Sequence, residues 1–269
     1  MWACLGPWLD CVEHYSGVAR IASTFVTNGH CAQPFDVTRH MLFDNALTSE
    51  GLATQLLHTC HTKPLGLSWW GTVRSSWVWI CRGTTLRSRE DVLGRLDLQC
   101  VNEANTQVCR MALVLFLVIS LRIHWVLEQP ASSLMSLAPW LEFLNERLGL
   151  QFLRTSTWMC MFNASTFKPS ALFSHSYFAN GLARKRDASR DAEWRAVEGV
   201  NHLHPHPDGR QQLAGHVGLK TSQVYTQKNA DEVFRMWSQK KDEPGGFPED
   251  EADLLTEAFA PWIPLAKAF

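Results

Sequence analysis

No stretch of this chain is apolar for long enough to suggest a bilayer-crossing helix. The most apolar run, residues 111–121, counts eleven residues between Arg110 and Arg122, where a membrane span needs ~20. The opening MWACLGPWLDCVE has neither a basic leader nor a long apolar core, so no secretory signal is expected. Cysteine pairs of the C-x-x-C type are missing too. The eight cysteines (Cys4, Cys11, Cys31, Cys60, Cys81, Cys100, Cys109, Cys160) are dispersed through 269 residues. That excludes a small disulfide scaffold and predicts reduced thiols in an intracellular compartment, nucleus or cytoplasm. Charge is scarce, at 19% of residues with a formal net charge of −1. A strongly basic nucleic-acid arm is thereby excluded, although a local basic cleft is not. No internal repeat is present. What the chain has in quantity is core: 46% hydrophobic residues, with 14 Phe and 12 Trp, which offset the ordering entropy of a folded domain.

Strand-like and helix-like segments alternate over the first 160 residues. Residues 10–15 read as a short strand ending at the Ser16-Gly17 turn signal. Val18, Ile21, Ala22 and Phe25 then hold the spacing of one helical face, which Asn28-Gly29 stops. Residues 31–35 form the next strand, ending at Asp36. A helix opens at Thr48-Ser49-Glu50 and runs to Cys60, and residues 65–70 are a third strand. Residues 103–121 read as a long helix, 123–127 as a strand, and 134–148 as a helix capped by Gly149. This alternation predicts an α/β domain with a mostly parallel sheet and helices on both faces. Residues 151–162 and 170–177 are expected to form an antiparallel pair, with Lys168-Pro169 in their connection. The domain should cover residues 1–180. An irregular extension (181–239) with weak helical character over 221–239 comes next, then a charged linker and terminal helix (240–269). HLHPHPDG (202–209) reads as a loop.

In open parallel sheets, ligands bind beyond the carboxyl ends of the strands, so the residues just after each strand matter most. E-H-Y-S-G-V-A-R-I-A (13–22) is a strand, a small-residue turn and a helix, suited to a close backbone approach by a nucleotide-like ligand. It is equally an ordinary strand–helix connection. Asp36, about 20 residues on, stands where an acidic residue accepts hydrogen bonds from ribose hydroxyls, or caps a turn. In W-V-L-E-Q-P-A-S-S (125–133), Glu128 ends a buried strand beside a proline. A carboxyl there is costly unless paired. It reads as an acid able to protonate a bound base, or as a cap on the next helix assisted by Ser132 and Ser133.

Taken in order, Y-S-G-V-A-R-I-A, P-F-D, S-S-W-V-W and V-L-E-Q-P-A-S-S resemble the motifs of the cytosine carbon-5 DNA methyltransferases, and more closely a divergent eukaryotic and viral branch of them. The likeness covers residues 11–177. It implies a class I methyltransferase-like, Rossmann-like fold, S-adenosylmethionine as cofactor, and DNA, with its target cytosine flipped out, as partner. By this resemblance Ser16, Gly17, Val18 and Asp36 contact the cofactor, and Glu128 engages the cytosine ring nitrogen. No metal is implied.

The departures bear on activity. Ala19 stands where the family has a second glycine. The loop after the third strand, G-T-V-R-S-S-W, has Val73 and Arg74 where the family has Pro-Cys. An arginine stays protonated and cannot replace the thiolate that attacks the pyrimidine ring, and Cys81 would need the loop to fold back. The chain therefore reads as a catalytically inactive relative, with two alternatives: a nucleic-acid or protein interaction module on the old fold, or a methyltransferase whose substrate needs no cysteine. Five arginines (Arg74, Arg82, Arg87, Arg89, Arg95) against Glu90 and Asp91, interleaved with Trp69, Trp70, Trp77 and Trp79, suggest either a backbone-binding cleft or core tryptophans among surface cations. The histidines at 202, 204 and 206, with prolines interleaved, read as a solvated loop rather than metal ligands, and His58-Thr59-Cys60-His61 is a second small cluster.

Overall fold

Buried along nearly its whole length, β1 (Leu9–His14) is an inner strand of a six-stranded sheet in a computed structural model of the chain, which describes residues 8–72, 76–147, 153–158, 169–184, 203–205, 211–213 and 227–242. Its companions are β2 (Ala32–Phe35), β3 (Thr62–Trp70), β4 (His124–Pro130), β5 (Leu153–Trp158) and β6 (Pro169–Ser174), in the order β2-β1-β3-β4-β6-β5. The first four are parallel neighbours, whereas β6 runs antiparallel to both β4 and β5. The expected α/β architecture with an antiparallel pair at one edge is present. The chain leaves β1 for β2 on one side and returns to β3 on the other, so the order reverses at β1. Open α/β sheets bind their ligands at such a reversal.

Strand residues alternate between faces, and each face is covered by helices. Trp70, Trp125 and Leu127 pack with Val108, Met111 and Leu115 of α4 (Gln99–Ser120) and with Leu141 and Leu144 of α5 (Pro139–Arg147). Leu52 and Leu56 of α2 (Ser49–Cys60) pack against the same cluster. On the other face, Cys11, Leu67, Trp69 and Val126 pack with Ile21 and Phe25 of α1 (Arg20–Thr27). A four-residue helix, α3 (Arg82–Thr85), lies between β3 and α4 in the chain.

The local boundaries have local causes. Thr48 Oγ1 accepts the Gly51 amide at 2.9 Å and so caps α2. Gly29, at φ +82°, takes the left-handed position after α1. The helix α4 begins at Gln99 rather than 103, because Val101 and Ala104 already belong to its buried face. At 22 residues it is long and apolar enough to span a bilayer, contrary to the reading from residues 111–121 alone, but half of it is buried inside the fold.

Two further differences from the sequence reading lie in β3 and the C-terminal region. β3 starts at Thr62 instead of 65, and its register with β1 slips between Leu9 and Cys11. At the irregularity Leu65 is left-handed (φ 64°), and its carbonyl accepts the Trp237 indole N–H at 3.0 Å. That tryptophan belongs to α6 (Gln227–Lys240), whose Val233, Met236 and Trp237 join the α1 side of the core. The Trp237 and Phe25 ring centres are 4.7 Å apart. Both ends of α6 are tied down, by Gln227 to Thr24 Oγ1 at 2.8 Å and by His124 Nε2 to the Lys241 carbonyl at 3.0 Å. In the 202–209 segment, β7 (Leu203–Pro205) pairs antiparallel with β8 (Gln211–Leu213) where a loop was expected. Most of the irregular extension (residues 185–202, 206–210 and 214–226), the linker beyond 242 and the terminal helix lie outside the described residues.

The Trp237→Ala variant should lose ~3–5 kcal/mol of unfolding free energy in urea titrations, the usual cost of emptying a buried tryptophan site. Leu113→Ala, on a side chain 60% exposed on α4, should change it by less than ~0.5 kcal/mol.

Candidate functional site

The turn that leaves β1 is held against its own backbone preferences. Tyr15, Gly17 and Ala19 are all left-handed, at φ 57°, 53° and 54°. For Tyr15 and Ala19 this conformation costs ~1–2 kcal/mol each. Ala19 thus adopts the geometry that a glycine would take there without penalty. Four hydrogen bonds hold the turn. The Ser16 amide donates to the Phe35 carbonyl (3.1 Å), Gly17 to Asp36 Oδ2 (2.8 Å), Ala19 to the Ser16 carbonyl (2.8 Å), and Ala22 to Glu13 Oε2 (2.8 Å). Asp36 is itself fixed, because its Oδ1 accepts from both the amide and the hydroxyl of Thr38, at 2.9 and 2.7 Å. Ser16, Gly17, Val18 and Asp36 are therefore brought together at the sheet's reversal point. Val18 is 46% exposed at the tip, while Ser16 is buried, its Oγ without a hydrogen-bond partner among the described residues.

Glu13 is the functional candidate that sequence reasoning missed. Ala19 occupies the N-cap position of α1 and has no side chain with which to cap it. Glu13 reaches from the end of β1 and satisfies the third amide of the helix instead. The available signal was an acidic residue closing an apolar strand just before a helix without Ser, Thr, Asp or Asn at its start. Burial pushes the Glu13 carboxyl up to about 8, against the lowering effects of the Ala22 amide and the Arg39 guanidinium. It therefore holds its proton through most of the neutral range.

Glu128 lies within β4, which continues to Pro130 rather than stopping at 127. It is fully buried, opposite Leu172 of β6. Glu13 pairs in register with Trp69, and Trp69 with Val126. Glu128 comes two residues beyond Val126, so both carboxyls belong to the α1 face of the sheet. The adjacent Gln129 turns to the other face, where its amide donates to Thr72 Oγ1 (2.9 Å) and its carbonyl accepts from Ser133 Oγ (3.1 Å). Ser133 also accepts the Met135 amide at 3.2 Å. Of the capping group expected around Glu128, then, the structure shows Gln129 and Ser133 as the interacting pair.

The basic–aromatic segment is mostly interior. Trp69, Trp70 and Trp77 are buried. Arg87 is buried beneath the chain, with its guanidinium 3.5 Å over the Trp77 ring and its donors on Val92 O, Ser76 Oγ and Val101 O. Arg95 is paired with Asp97 at 2.6 Å. Of the two readings of this segment, these positions favour core tryptophans: Trp69, Trp70 and Trp77 are interior, Arg87 is buried with them, and Arg95 lies on the surface. Val73 and Arg74 lie outside the described residues. Burial raises the Cys81 thiol, and Cys100 nearby raises it further, the reverse of what an activated nucleophile needs. His58 is pushed down to about 4 by burial, with His61 adding to the effect. Among the described residues no group of three His, Cys, Asp or Glu side chains is placed to hold a metal ion.

Electrostatics narrow what the turn accepts. Dinucleotide-binding turns offer free amides and a helix N-terminus to a pyrophosphate. Here the amides of Ser16, Gly17, Ala19 and Ala22 are already engaged, two of them by carboxyl groups. A phosphate would have to displace Asp36 and then lie beside it. A cationic or zwitterionic nucleoside would not. No protein-family model, no curated protein and no solved structure matches this chain.

Glu13 holds its proton more tightly in the folded chain (about 8) than at its ordinary value of 4.5. Its contribution is therefore fully present below the ordinary value and is lost as pH rises through about 8. Glu13→Gln keeps an acceptor for Ala22 but cannot ionise. Its stability relative to wild type should improve by a few kcal/mol between about pH 5 and pH 9 in denaturant titrations. A difference independent of pH would contradict a buried, proton-holding Glu13.

Proposed function

We propose that this chain is a DNA cytosine-5-methyltransferase-like protein that binds S-adenosylmethionine at Ser16, Gly17, Val18 and Asp36 and does not transfer a methyl group to cytosine carbon 5. The observation that carries the reading is the Asp36–Gly17 hydrogen bond at the point where the strand order reverses. It sets a carboxylate beside a tight turn, in a place where the resemblance of residues 13–22 and 34–36 expects a sulfonium nucleoside. The residues present suit that ligand. Asp36 Oδ2 accepts one amide and retains lone-pair capacity for a ribose hydroxyl, and the buried Ser16 Oγ is available to a polar ligand atom. When bound, S-adenosylmethionine supplies an activated methyl group.

The chain's own residues limit the chemistry open to it. Carbon-5 transfer requires a thiolate to add to the ring and an acid to engage the ring nitrogen. Glu128 is a buried carboxyl group within β4, a position we assign to the acid's role by the resemblance. By the resemblance, Arg74 occupies the nucleophile's position, where its fixed charge neither attacks nor leaves room for a stacked base. The raised Cys81 thiol is a poor substitute. DNA remains the proposed partner, recognised without covalent chemistry.

Calorimetry should show binding of S-adenosylmethionine and S-adenosylhomocysteine and none of NAD. Asp36→Ala should weaken both by ~1–3 kcal/mol. Absence of binding at millimolar concentration, or preference for NAD, would overturn the reading. Methyl transfer to cytosine-containing DNA should stay at background for the wild type. The Val73→Pro, Arg74→Cys double variant should gain measurable transfer and trap a covalent adduct with a mechanism-based cytosine analogue. Wild-type transfer that Cys81→Ser abolishes would place the nucleophile at Cys81 instead.

A further inference from the structure

At the antiparallel edge of the sheet, a cleft of about 350 Å³ opens between β5 and the 3-10 turn Tyr177–Leu182 that follows β6. Arg154, Ser156 and Trp158 alternate along β5, so they project from one face of the strand, and all three line the cleft. The turn contributes Asn180, and Arg184 follows it. Bonds within the chain fix both: Thr155 Oγ1 donates to Asn180 Oδ1 at 2.9 Å, and the Arg184 amide donates to the Ser156 carbonyl at 3.3 Å. The Arg184 guanidinium donates to the Gly181 and Ala183 carbonyls, at 2.9 and 2.8 Å, and to Glu232 of α6, which also pairs with Arg235 at 2.7 Å. Arg184 therefore brings a fixed positive charge to the cleft. Arg154 is exposed and donates one bond, from Nη2 to the Ala131 carbonyl at 3.2 Å, which leaves the rest of its N–H fork open. No carboxylate lines the cleft among the described residues.

We propose that this cleft binds a nucleoside 5′-monophosphate. Two guanidiniums with no carboxylate beside them in the lining select an anion, and the open fork of Arg154 matches the paired oxygens of a phosphate monoester. Ser156 Oγ and the Asn180 amide nitrogen are neutral donors in the same lining. The half-buried Trp158 indole supplies an aromatic surface for the base, and such stacking tolerates any base because each has a π-face. The cleft's volume falls at the small end of the range for ligand pockets, ~300–1,000 Å³, the scale of one nucleotide rather than of a strand. In the sheet β5 lies four strands from β1, or ~19 Å at the usual spacing between strands. The site is thus separate from the turn between β1 and β2, and it does not depend on that turn's ligand.

The test is calorimetry of the full chain with guanosine 5′-monophosphate, a probe without the adenosine moiety of S-adenosylmethionine, in the absence and presence of excess S-adenosylhomocysteine. The nucleotide should bind one-to-one at millimolar concentration or below, with the same affinity in both titrations. Guanosine and inorganic phosphate, each offering part of the contacts, should bind at least ~tenfold more weakly. Arg154→Ala should weaken the nucleotide by ~tenfold or more, and Arg154→Glu should abolish its binding. Photolabelling of the wild-type chain with 8-azidoguanosine 5′-monophosphate should mark residues 153–158 or 177–184, which decides the matter even if a variant fails to fold. No binding at millimolar concentration, displacement by S-adenosylhomocysteine, equal affinity for inorganic phosphate, folded Arg154 variants that bind normally, or label elsewhere in the chain would each overturn the proposal. Tighter binding of a 5′-phosphorylated dinucleotide would overturn the assignment to a single nucleotide.

Discussion

A single hydrogen bond, 2.8 Å from the Gly17 amide to Asp36 Oδ2, ties together the carboxyl ends of β1 and β2. It joins the first residues after β1 to the first residue after β2, and it does so across a turn with three left-handed residues. Without a fixed acceptor the chain would relax Tyr15 and Ala19 toward ordinary backbone angles. Asp36 can serve as that acceptor because Thr38 immobilises its other oxygen. Glu13 completes the clamp from beneath by taking the Ala22 amide, so the start of α1 is set by a strand residue rather than by its own cap.

The clamp is supported from a distance. The helix α1 is sandwiched between the sheet and α6, with Phe25 against Trp237 and Phe234. In turn α6 is positioned by an irregularity in β3, where the left-handed Leu65 presents its carbonyl to Trp237. A defect in one strand is thus what lets a distant C-terminal helix hold down the helix on which the turn depends. The opposite face needs no such device, since apolar residues of α2, α4 and α5 cover it.

The parts of the fold that rest on periodicity and turn chemistry were legible in the sequence. The Ile21–Ala22–Phe25 spacing, the Thr48 cap and the Asn28-Gly29 stop all correspond to observed elements, whereas Val18, read on the same helical face, precedes the helix and is exposed at the tip of the turn. So does the antiparallel pair at the edge, although Pro169, expected in the connection, opens β6, and β6 ends at Ser174 instead of 177. What was not legible depends on contacts between residues far apart in the chain. The sequence offers no sign that Leu65 would be left-handed, or that residues 203–205 would find a partner at 211–213. At the site, Asp36 stood out by its spacing from the glycine turn. Glu13 did not, because its role comes from a missing cap several residues away. The tryptophans at 69, 70 and 77 stayed open between two readings for a related reason: composition alone cannot tell an aromatic that lines a cleft from one, like Trp77, that stacks beneath a buried Arg87.

A nucleoside cofactor seated on the clamped turn between β1 and β2 would shield the backbone amides around it. Amide hydrogen exchange, followed residue by residue with and without S-adenosylhomocysteine, tests this most directly. The expected result is added protection concentrated at residues 15–19 and 36–38, with little change on α5 or β5. Protection confined to another part of the sheet, with exchange at Gly17 and Thr38 unaltered, would contradict it.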